Sequence, residues 1–301
     1  MELKTYQERV LTEVGNYLTA LAQARQTVPK YASQEAWRAA TGGQLLPAPR
    51  LTGAGADLPT FCLKVPTGGG KTLLATQILG QAYKTLLPAR NGVGLVLWVV
   101  PSDQIYKDTL RALRDKSHFY RQSLEFALSR RVEIWEKDEI RRLTPAQLAS
   151  SLNVLLLKLQ GTNRQDKESL KFFRDSGGAI TAHFPPEDDA EAHRALKAQI
   201  PNLEMLAEDE TTGVYLAKTS LANLVRKCEP VVILDEGHKA TSALARKTVE
   251  GFNPTLVVEL SATPDREANV LCKVSGTELL NEAMIKLPIN VSNSAQQKWE
   301  N

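Results

Sequence analysis

The chain reads Thr60-Phe61-Cys62-Leu63-Lys64-Val65 and continues Pro66-Thr67-Gly68-Gly69-Gly70-Lys71-Thr72, and this stretch decides the fold. The first six residues are mostly apolar and predict a buried β-strand. From Thr72 to Leu87 the sequence is rich in Leu and Ala and free of proline, which predicts a helix that begins at Lys71. A Gly-rich loop therefore lies between a strand and the N-terminus of a helix.

This loop has the composition of a phosphate-binding loop. A triphosphate needs backbone N–H donors close to its oxygens, and glycines permit that approach because they have no Cβ. Lys71 supplies a positive charge for the β- and γ-phosphates, and the Thr72 hydroxyl can ligate Mg²⁺. The sequence departs from the G-x-x-x-x-G-K-[ST] pattern at one position, where Val65 replaces glycine. We expect ATP to be bound by Thr67, Gly68, Gly69, Gly70, Lys71 and Thr72.

A second chemical signal follows the apolar run Val231 to Leu234, which predicts another buried strand. Asp235 and Glu236 come directly after it. A magnesium-bound triphosphate needs a carboxylate for the metal and a base that orients the attacking water. We expect Asp235 to serve the Mg²⁺ and Glu236 to be the base. His238 lies two residues beyond the base, and we expect it to take part in catalysis.

Three further apolar runs, Val93 to Val100, Asn153 to Leu159 and Leu256 to Leu260, complete a series of buried strands that alternate with helical stretches. This alternation predicts an α/β fold with a mostly parallel sheet covered on both faces. Ligands bind beyond the carboxyl ends of such strands. Each run is followed by a polar cluster. The clusters are the Gly-rich loop, Pro101-Ser102, Gln160-Gly161-Thr162, Asp235-Glu236 and Ser261-Ala262-Thr263.

Together these motifs resemble the first RecA-like domain of superfamily-two helicases of the DEAD/DEAH type. Asp235-Glu236-Gly237-His238 is similar to motif II. The resemblance implies a P-loop NTPase in the form of a RecA-like three-layer sandwich with helical insertions. It also assigns individual roles. Ser261, Ala262 and Thr263 would couple the nucleotide site to nucleic acid, Gln7 would read adenine, and Pro101, Ser102, Gln160, Gly161 and Thr162 would contact the nucleic-acid backbone.

Within the superfamily the chain resembles the Res subunit of type III restriction enzymes. The residues that carry this resemblance are 235–239, 260–264 and 284–289. It implies a DNA helicase or translocase that uses ATP and Mg²⁺ and contacts DNA through the backbone with little sequence preference. It also implies a second RecA-like domain, a nuclease domain and a methyltransferase or other defence-system subunit as partners.

The expected organisation is an N-terminal helical segment (1–58), a first RecA-like domain (59–290) with extra helices at 103–222, and a truncated linker or tail (291–301). A second RecA-like domain, which supplies arginines to the nucleotide site, does not fit after residue 288. We therefore expect an excerpt of a longer protein, an engineered piece of one, or one part of a split system, with very slow hydrolysis on its own.

Composition excludes some classes of protein and leaves several functions open. The apolar fraction of 43% and the charged fraction of 24% are ordinary for a globular protein, and no apolar run of 18 residues is present. Scattered Cys62, Cys228 and Cys272 predict free thiols and a cytoplasmic location. A net charge of +3 does not prove a nucleic-acid partner. An RNA helicase and a nucleotide-gated binding module without hydrolysis remain alternatives.

Overall fold

A computed structural model describes residues 3–43, 46–158, 177–209, 211–236 and 243–284 of the chain. Its strands are β1 (Thr60–Lys64), β2 (Gly94–Val100), β3 (Val132–Trp135), β4 (Leu152–Lys158), β5 (Met205–Asp209), β6 (Val214–Ala217), β7 (Val231–Asp235), β8 (Leu256–Ser261) and β9 (Val270–Lys273). Its helices are α1 (Thr5–Thr27), α2 (Ala32–Thr41), α3 (Lys71–Thr85), α4 (Asp103–Arg114), α5 (Phe119–Leu128), α6 (Pro145–Ser150), α7 (Ala190–Gln199), α8 (Leu221–Cys228), α9 (Ala243–Glu250) and α10 (Gly276–Asn281).

The main sheet has seven strands in the order β3-β4-β2-β7-β8-β1-β9, and every pairing in it is parallel. Parallel strands end at one edge, so the carboxyl ends of β1, β8 and β7 are neighbours. This arrangement confirms the expected α/β fold and the strands predicted at the five apolar runs.

Helices cover both faces of the sheet, as a three-layer sandwich requires. On β2, Val96 and Trp98 pack into a core formed with α1, α2, α3 and α5. The alternate residues Leu95 and Leu97 pack into a second core with α8 and with Val249 of α9. Successive side chains of a strand point to opposite faces, which explains why these strands are apolar throughout.

The N-terminal segment belongs to the first of these cores. Tyr17 of α1 packs edge-on against Phe61 of β1, with ring centroids 5.4 Å apart, and against Trp37 of α2 at 6.1 Å. The predicted irregular connection after α2 contains one antiparallel bridge, between Leu51 and Asp57. No helix of the described ranges is long and apolar enough to cross a membrane.

The region 103–222 holds more than extra helices. It supplies α4, α5, α6 and α7, but also β3 and β4 of the main sheet and the antiparallel hairpin of β5 and β6. His193 of α7 is fully buried beneath the hairpin. Its Nδ1 accepts a hydrogen bond from the Ala217 N–H (3.2 Å), and its Nε2 contacts the Pro186 carbonyl oxygen (3.1 Å).

Candidate functional site

Residues 65–70, called the phosphate loop after their expected role, connect β1 to α3. The conformation of this loop depends on its glycines. Gly68 and Gly70 have φ values of +83° and +71°, in the left-handed region that favours glycine. A Cβ at Gly69 would lie 2.6 Å from Val65 Cγ1, and a Cβ at Gly70 would lie 2.8 Å from Gln7 Nε2. The loop therefore has no room for side chains on its inner side, while Thr67 and Gly68 are exposed to solvent.

Lys71 is the first residue of α3, as the sequence predicts, and Thr72 follows it in the first turn. The Lys71 Nζ lies 2.5 Å from Glu236 Oε1 and donates to the Val65 carbonyl oxygen at 3.5 Å. The side chains of Lys71 and Glu236 are each 11% exposed. The cation expected for phosphate and the expected base thus form an ion pair that is largely shielded from water.

The two acids at the end of β7 have different surroundings. Asp235 is buried, and its Oδ1 has no hydrogen-bond partner among the described residues. Burial is the main cause that raises the pKa of Asp235 to about 6, and Glu236 adds to it while Lys71 acts in the opposite direction. Glu236 has a φ of +51°, unusual for a residue with a side chain, and its N–H donates to the Leu260 carbonyl oxygen at 2.6 Å.

These donors fit a magnesium ion that is bound together with a nucleotide. A buried carboxylate oxygen without a partner is costly, and a cation would satisfy it. Mg²⁺ retains several waters and takes one or two protein oxygens plus phosphate oxygens. Asp235 and Thr72 are oxygen donors of that kind. In the described part of the chain no group of three or more His, Cys, Asp or Glu side chains offers an all-protein metal site.

Ser261, Ala262 and Thr263 lie between the phosphate loop and the acids, because β8 is the neighbour of both β1 and β7. Lys64 is in register with Ser261, and the Val65 N–H donates to the Ser261 carbonyl oxygen at 3.0 Å. On the other side, the Ala262 N–H donates to Glu236 Oε2 at 3.4 Å. This segment therefore contacts the loop and the expected base at the same time.

Gln7 lies against the phosphate loop but is buried. Its Oε1 accepts a hydrogen bond from the Lys4 N–H (3.0 Å), and its Nε2 donates to the Tyr6 hydroxyl (3.2 Å). The Tyr6 hydroxyl in turn donates to the Gly69 carbonyl oxygen at 3.0 Å. The expected role of Gln7 in reading adenine stays a prediction, and its amide is bonded within the protein.

The residues expected to contact nucleic acid are only partly described. Pro101 and Ser102 follow β2, next to β7 on the same sheet edge. The Ser102 Oγ caps α4 by accepting a hydrogen bond from the Ile105 N–H at 3.3 Å. The remaining three expected contacts, Gln160, Gly161 and Thr162, lie outside the described residues, as does His238.

Two sets of contacts near the site, made by Tyr6 and by Arg246, are not evident from the sequence. Tyr6 precedes Gln7, and nothing in the local pattern signals a role for its hydroxyl. Arg246 of α9 pairs with Glu267 (3.3 Å) and Asp265 (3.8 Å) in the loop that follows Thr263. These pairs join segments that are distant in the chain, so only the folded structure reveals them.

The chain is similar to one described protein family and to a solved structure. A family model described as "Type III restriction enzyme, res subunit" (ResIII) matches residues 1–266. Among solved structures the chain is similar to a nuclease-deletion mutant of the Type ISP restriction-modification enzyme LlaGI in complex with a DNA substrate mimic. That similarity has 14% identity and a TM-score of 0.44, and it covers 94% of this chain and 21% of that one. The chain thus spans about a fifth of the other's length. No curated protein matches.

Proposed function

Since the chain belongs to the ResIII family of type III restriction enzyme res subunits, we propose that it is the ATP-binding motor domain of a DNA helicase or translocase. We assign that motor to a type III restriction system or a related bacterial defence system. One observation carries the nucleotide-binding part of the proposal. The Lys71–Glu236 ion pair and the Asp235 Oδ1, which has no hydrogen-bond partner among the described residues, meet beside a loop whose glycines leave no room for side chains on its inner side.

In the proposed reaction the loop N–H groups and Lys71 bind the β- and γ-phosphates of ATP. Asp235 and Thr72 would hold Mg²⁺, which would neutralise charge that develops on the phosphate oxygens. Glu236 orients a water molecule for in-line attack on the γ-phosphorus and accepts its proton. The shielding of Glu236 strengthens its interaction with that water, because charges act over a lower dielectric there.

Binding of ATP must rearrange the Lys71–Glu236 pair. Lys71 cannot give its full charge to phosphate while it lies 2.5 Å from Glu236 Oε1. The phosphates would attract Lys71 and thereby free the Glu236 carboxylate for water. Binding of ATP would in this way make the Glu236 carboxylate available as the base. We propose that hydrolysis also requires a second RecA-like domain that supplies arginine.

The segment 261–263 is the proposed link to nucleic acid. Through Ala262 it contacts Glu236 and through Ser261 it contacts the loop, so a change in the nucleotide shifts the segment directly. Backbone contacts by Pro101 and Ser102 on the same edge would sense DNA. Such binding should be sensitive to salt and tolerant of sequence, because phosphate contacts release counterions and carry no sequence information.

Titration of the chain with a fluorescent ATP analogue, with and without Mg²⁺, tests the nucleotide site. We expect saturable binding that Mg²⁺ strengthens and that Lys71→Ala reduces at least about tenfold. Lys84→Ala is the matched control, because it removes a positive charge from the exposed far end of the same helix. An equal loss in both variants would contradict a specific phosphate contact.

The nucleic-acid part of the proposal is tested on a protein that contains two RecA-like domains. We expect its ATPase rate to rise more with duplex DNA than with single-stranded RNA, and a reversed order would contradict the choice of DNA. Glu236→Gln distinguishes a motor from a nucleotide-gated binding module. A motor loses translocation and stays bound to ATP, whereas a module that never hydrolyses ATP keeps its activity.

A further inference from the structure

The Tyr6 hydroxyl connects the start of α1 to the phosphate loop. It accepts a hydrogen bond from Gln7 Nε2 at 3.2 Å and donates to the Gly69 carbonyl oxygen at 3.0 Å. Gln7 is itself anchored, since its Oε1 accepts a hydrogen bond from the Lys4 N–H at 3.0 Å. Both side chains are almost fully buried, at 3% and 2% exposure. The series of bonds runs from a helix terminus to one carbonyl of the loop.

That carbonyl determines where a neighbouring N–H points. A peptide unit is planar and trans, so the N–H of Gly70 points away from the C=O of Gly69. With the carbonyl oxygen directed at Tyr6, the Gly70 N–H is directed to the opposite side of the loop. A rotated peptide would reverse both groups and present an oxygen in place of a donor. Glycine permits such rotation more readily than other residues, so the loop itself offers little resistance to it.

Helix α10 also lies against Gly69. A Cβ on Gly69 would lie 3.2 Å from Leu279 Cδ2, which places the Leu279 side chain beside the same residue. Arg9 of α1 pairs with Glu278 of α10 at 2.8 Å, and the Thr5 N–H donates to Glu282 Oε1 at 3.2 Å. The two helices are therefore fastened to each other around Gly69, and Tyr6 makes the polar contact with its carbonyl.

We infer that Tyr6 is a positioning residue for triphosphate binding, whose hydroxyl fixes the Gly69–Gly70 peptide with its N–H available to the phosphates. This inference rests on the proposed function, because it assigns Tyr6 to the same nucleotide site. Tyr6 does not touch the nucleotide in this arrangement and acts through Gly69. The aromatic ring is part of the apolar core, so the positioning role belongs to the hydroxyl.

The test is Tyr6→Phe in the 301-residue chain, which keeps the ring and removes the hydroxyl. Affinities for ATP and for AMP are measured by competition with a fluorescent ATP analogue. We expect ATP binding to weaken about 3- to 10-fold, the range for loss of one neutral hydrogen bond. AMP binding should change less than about twofold, because AMP lacks the β- and γ-phosphates that the loop binds.

Tyr83→Phe is the matched control. Tyr83 is a buried tyrosine in the same core at the far end of α3, and its hydroxyl has no partner among the described residues. It should leave both affinities unchanged. A merely structural role for Tyr6 would weaken ATP and AMP alike, and that result would overturn the inference. The ATP-to-AMP ratio remains decisive if Tyr6→Phe lowers stability, because partial unfolding reduces both affinities equally.

The outcomes separate this inference from the proposed function. Equal ATP affinity in the unsubstituted chain and in Tyr6→Phe overturns the inference alone. Failure of the unsubstituted chain to bind ATP at all overturns the proposed function, and the inference with it. A selective loss of ATP affinity in Tyr6→Phe supports both.

Discussion

Lys71 Nζ and Glu236 Oε1 lie 2.5 Å apart. In the proposed reaction Lys71 binds phosphate and Glu236 acts as the base, and without nucleotide their charges neutralise each other. Lys71 stands at the start of α3 and Glu236 just beyond β7, with β8 between their strands. The pair is shielded, which makes it harder for water to replace either partner. The energetic consequences of this pairing can be measured.

Glu236→Gln should tighten binding of ATP. The substitution removes the negative charge that competes with the phosphates for Lys71, and we expect an affinity gain of roughly 5- to 30-fold, equivalent to about 1–2 kcal/mol. Fluorescence titration at constant ionic strength measures it. Glu229→Gln is a suitable control, since Glu229 pairs with Arg90 on an exposed surface. Weaker binding by Glu236→Gln would show that the ion pair does not compete with nucleotide.

Gly70→Ala should abolish detectable ATP binding. The new Cβ would lie 2.8 Å from Gln7 Nε2, and the φ of +71° adds about 1–2 kcal/mol of backbone strain. Gly42→Ala provides a close control, because Gly42 has a φ of +70° and a Cβ added there would meet no atom of the described residues within 4 Å. Both variants carry the same backbone strain, but only Gly70→Ala should lose ATP binding. Retained binding in Gly70→Ala would contradict the tight loop geometry.

Asp235→Asn should stabilise the protein without ligand and remove the effect of Mg²⁺ on ATP binding. A buried carboxylate with an unpartnered oxygen is unfavourable when ionised, whereas an amide carries no charge. We expect the free energy of unfolding at neutral pH to rise by about 1–2 kcal/mol. Chemical denaturation and ATP titrations with and without Mg²⁺ measure the two effects. If Mg²⁺ strengthens ATP binding in the variant as much as in the unsubstituted chain, Asp235 does not bind the metal.

His183 should make the protein less stable in mild acid. Burial, the largest cause, lowers the pKa of His183, and Lys227 acts in the same direction against the hydrogen bond to the Leu143 carbonyl oxygen. The unfolded state then binds a proton more readily than the folded state. Stability from this residue is present above the ordinary pKa of about 6.5 and is lost as pH falls through the window below it.

His183→Gln tests this prediction. The variant should show a smaller loss of unfolding free energy between pH 7.5 and pH 5.5 than the unsubstituted chain, as measured by urea denaturation. The Gln side chain is uncharged at both pH values, so it cannot contribute to the pH dependence of the unfolding free energy. An unchanged pH dependence would assign the acid sensitivity to other groups.

The five strands predicted from apolar runs are β1, β2, β4, β7 and β8, which are also the five adjacent inner strands of the sheet. Inner strands are covered on both faces, so their sequences are apolar throughout and easily recognised. The missed strands of this sheet, β3 and β9, are four-residue strands at its two edges and contain half-exposed or charged residues. Their place in the sheet comes from pairing with a neighbour, which their own residues do not signal.

The proposed nucleotide site was likewise predictable only in part. The identities of Lys71, Thr72, Asp235 and Glu236, and their positions after strands, follow from the sequence because the chemistry of a magnesium triphosphate requires those groups. The pairing of Lys71 with Glu236, the bond from Tyr6 to Gly69 and the burial of Gln7 do not. They depend on the order of strands and on the docking of α1, which joins residues more than sixty positions apart.

By itself the sequence determined the α/β class and identified the proposed phosphate loop and acids. Apolar periodicity indicates which residues are buried, and the Gly, Lys, Thr, Asp and Glu residues are the groups that a magnesium triphosphate requires. Only the tertiary structure decided that β8 separates the loop from the acids and places Ser261 and Ala262 in contact with both. Strand order is set by the packing of the whole core, in which many weak apolar contacts act together. No short stretch of residues contains that information.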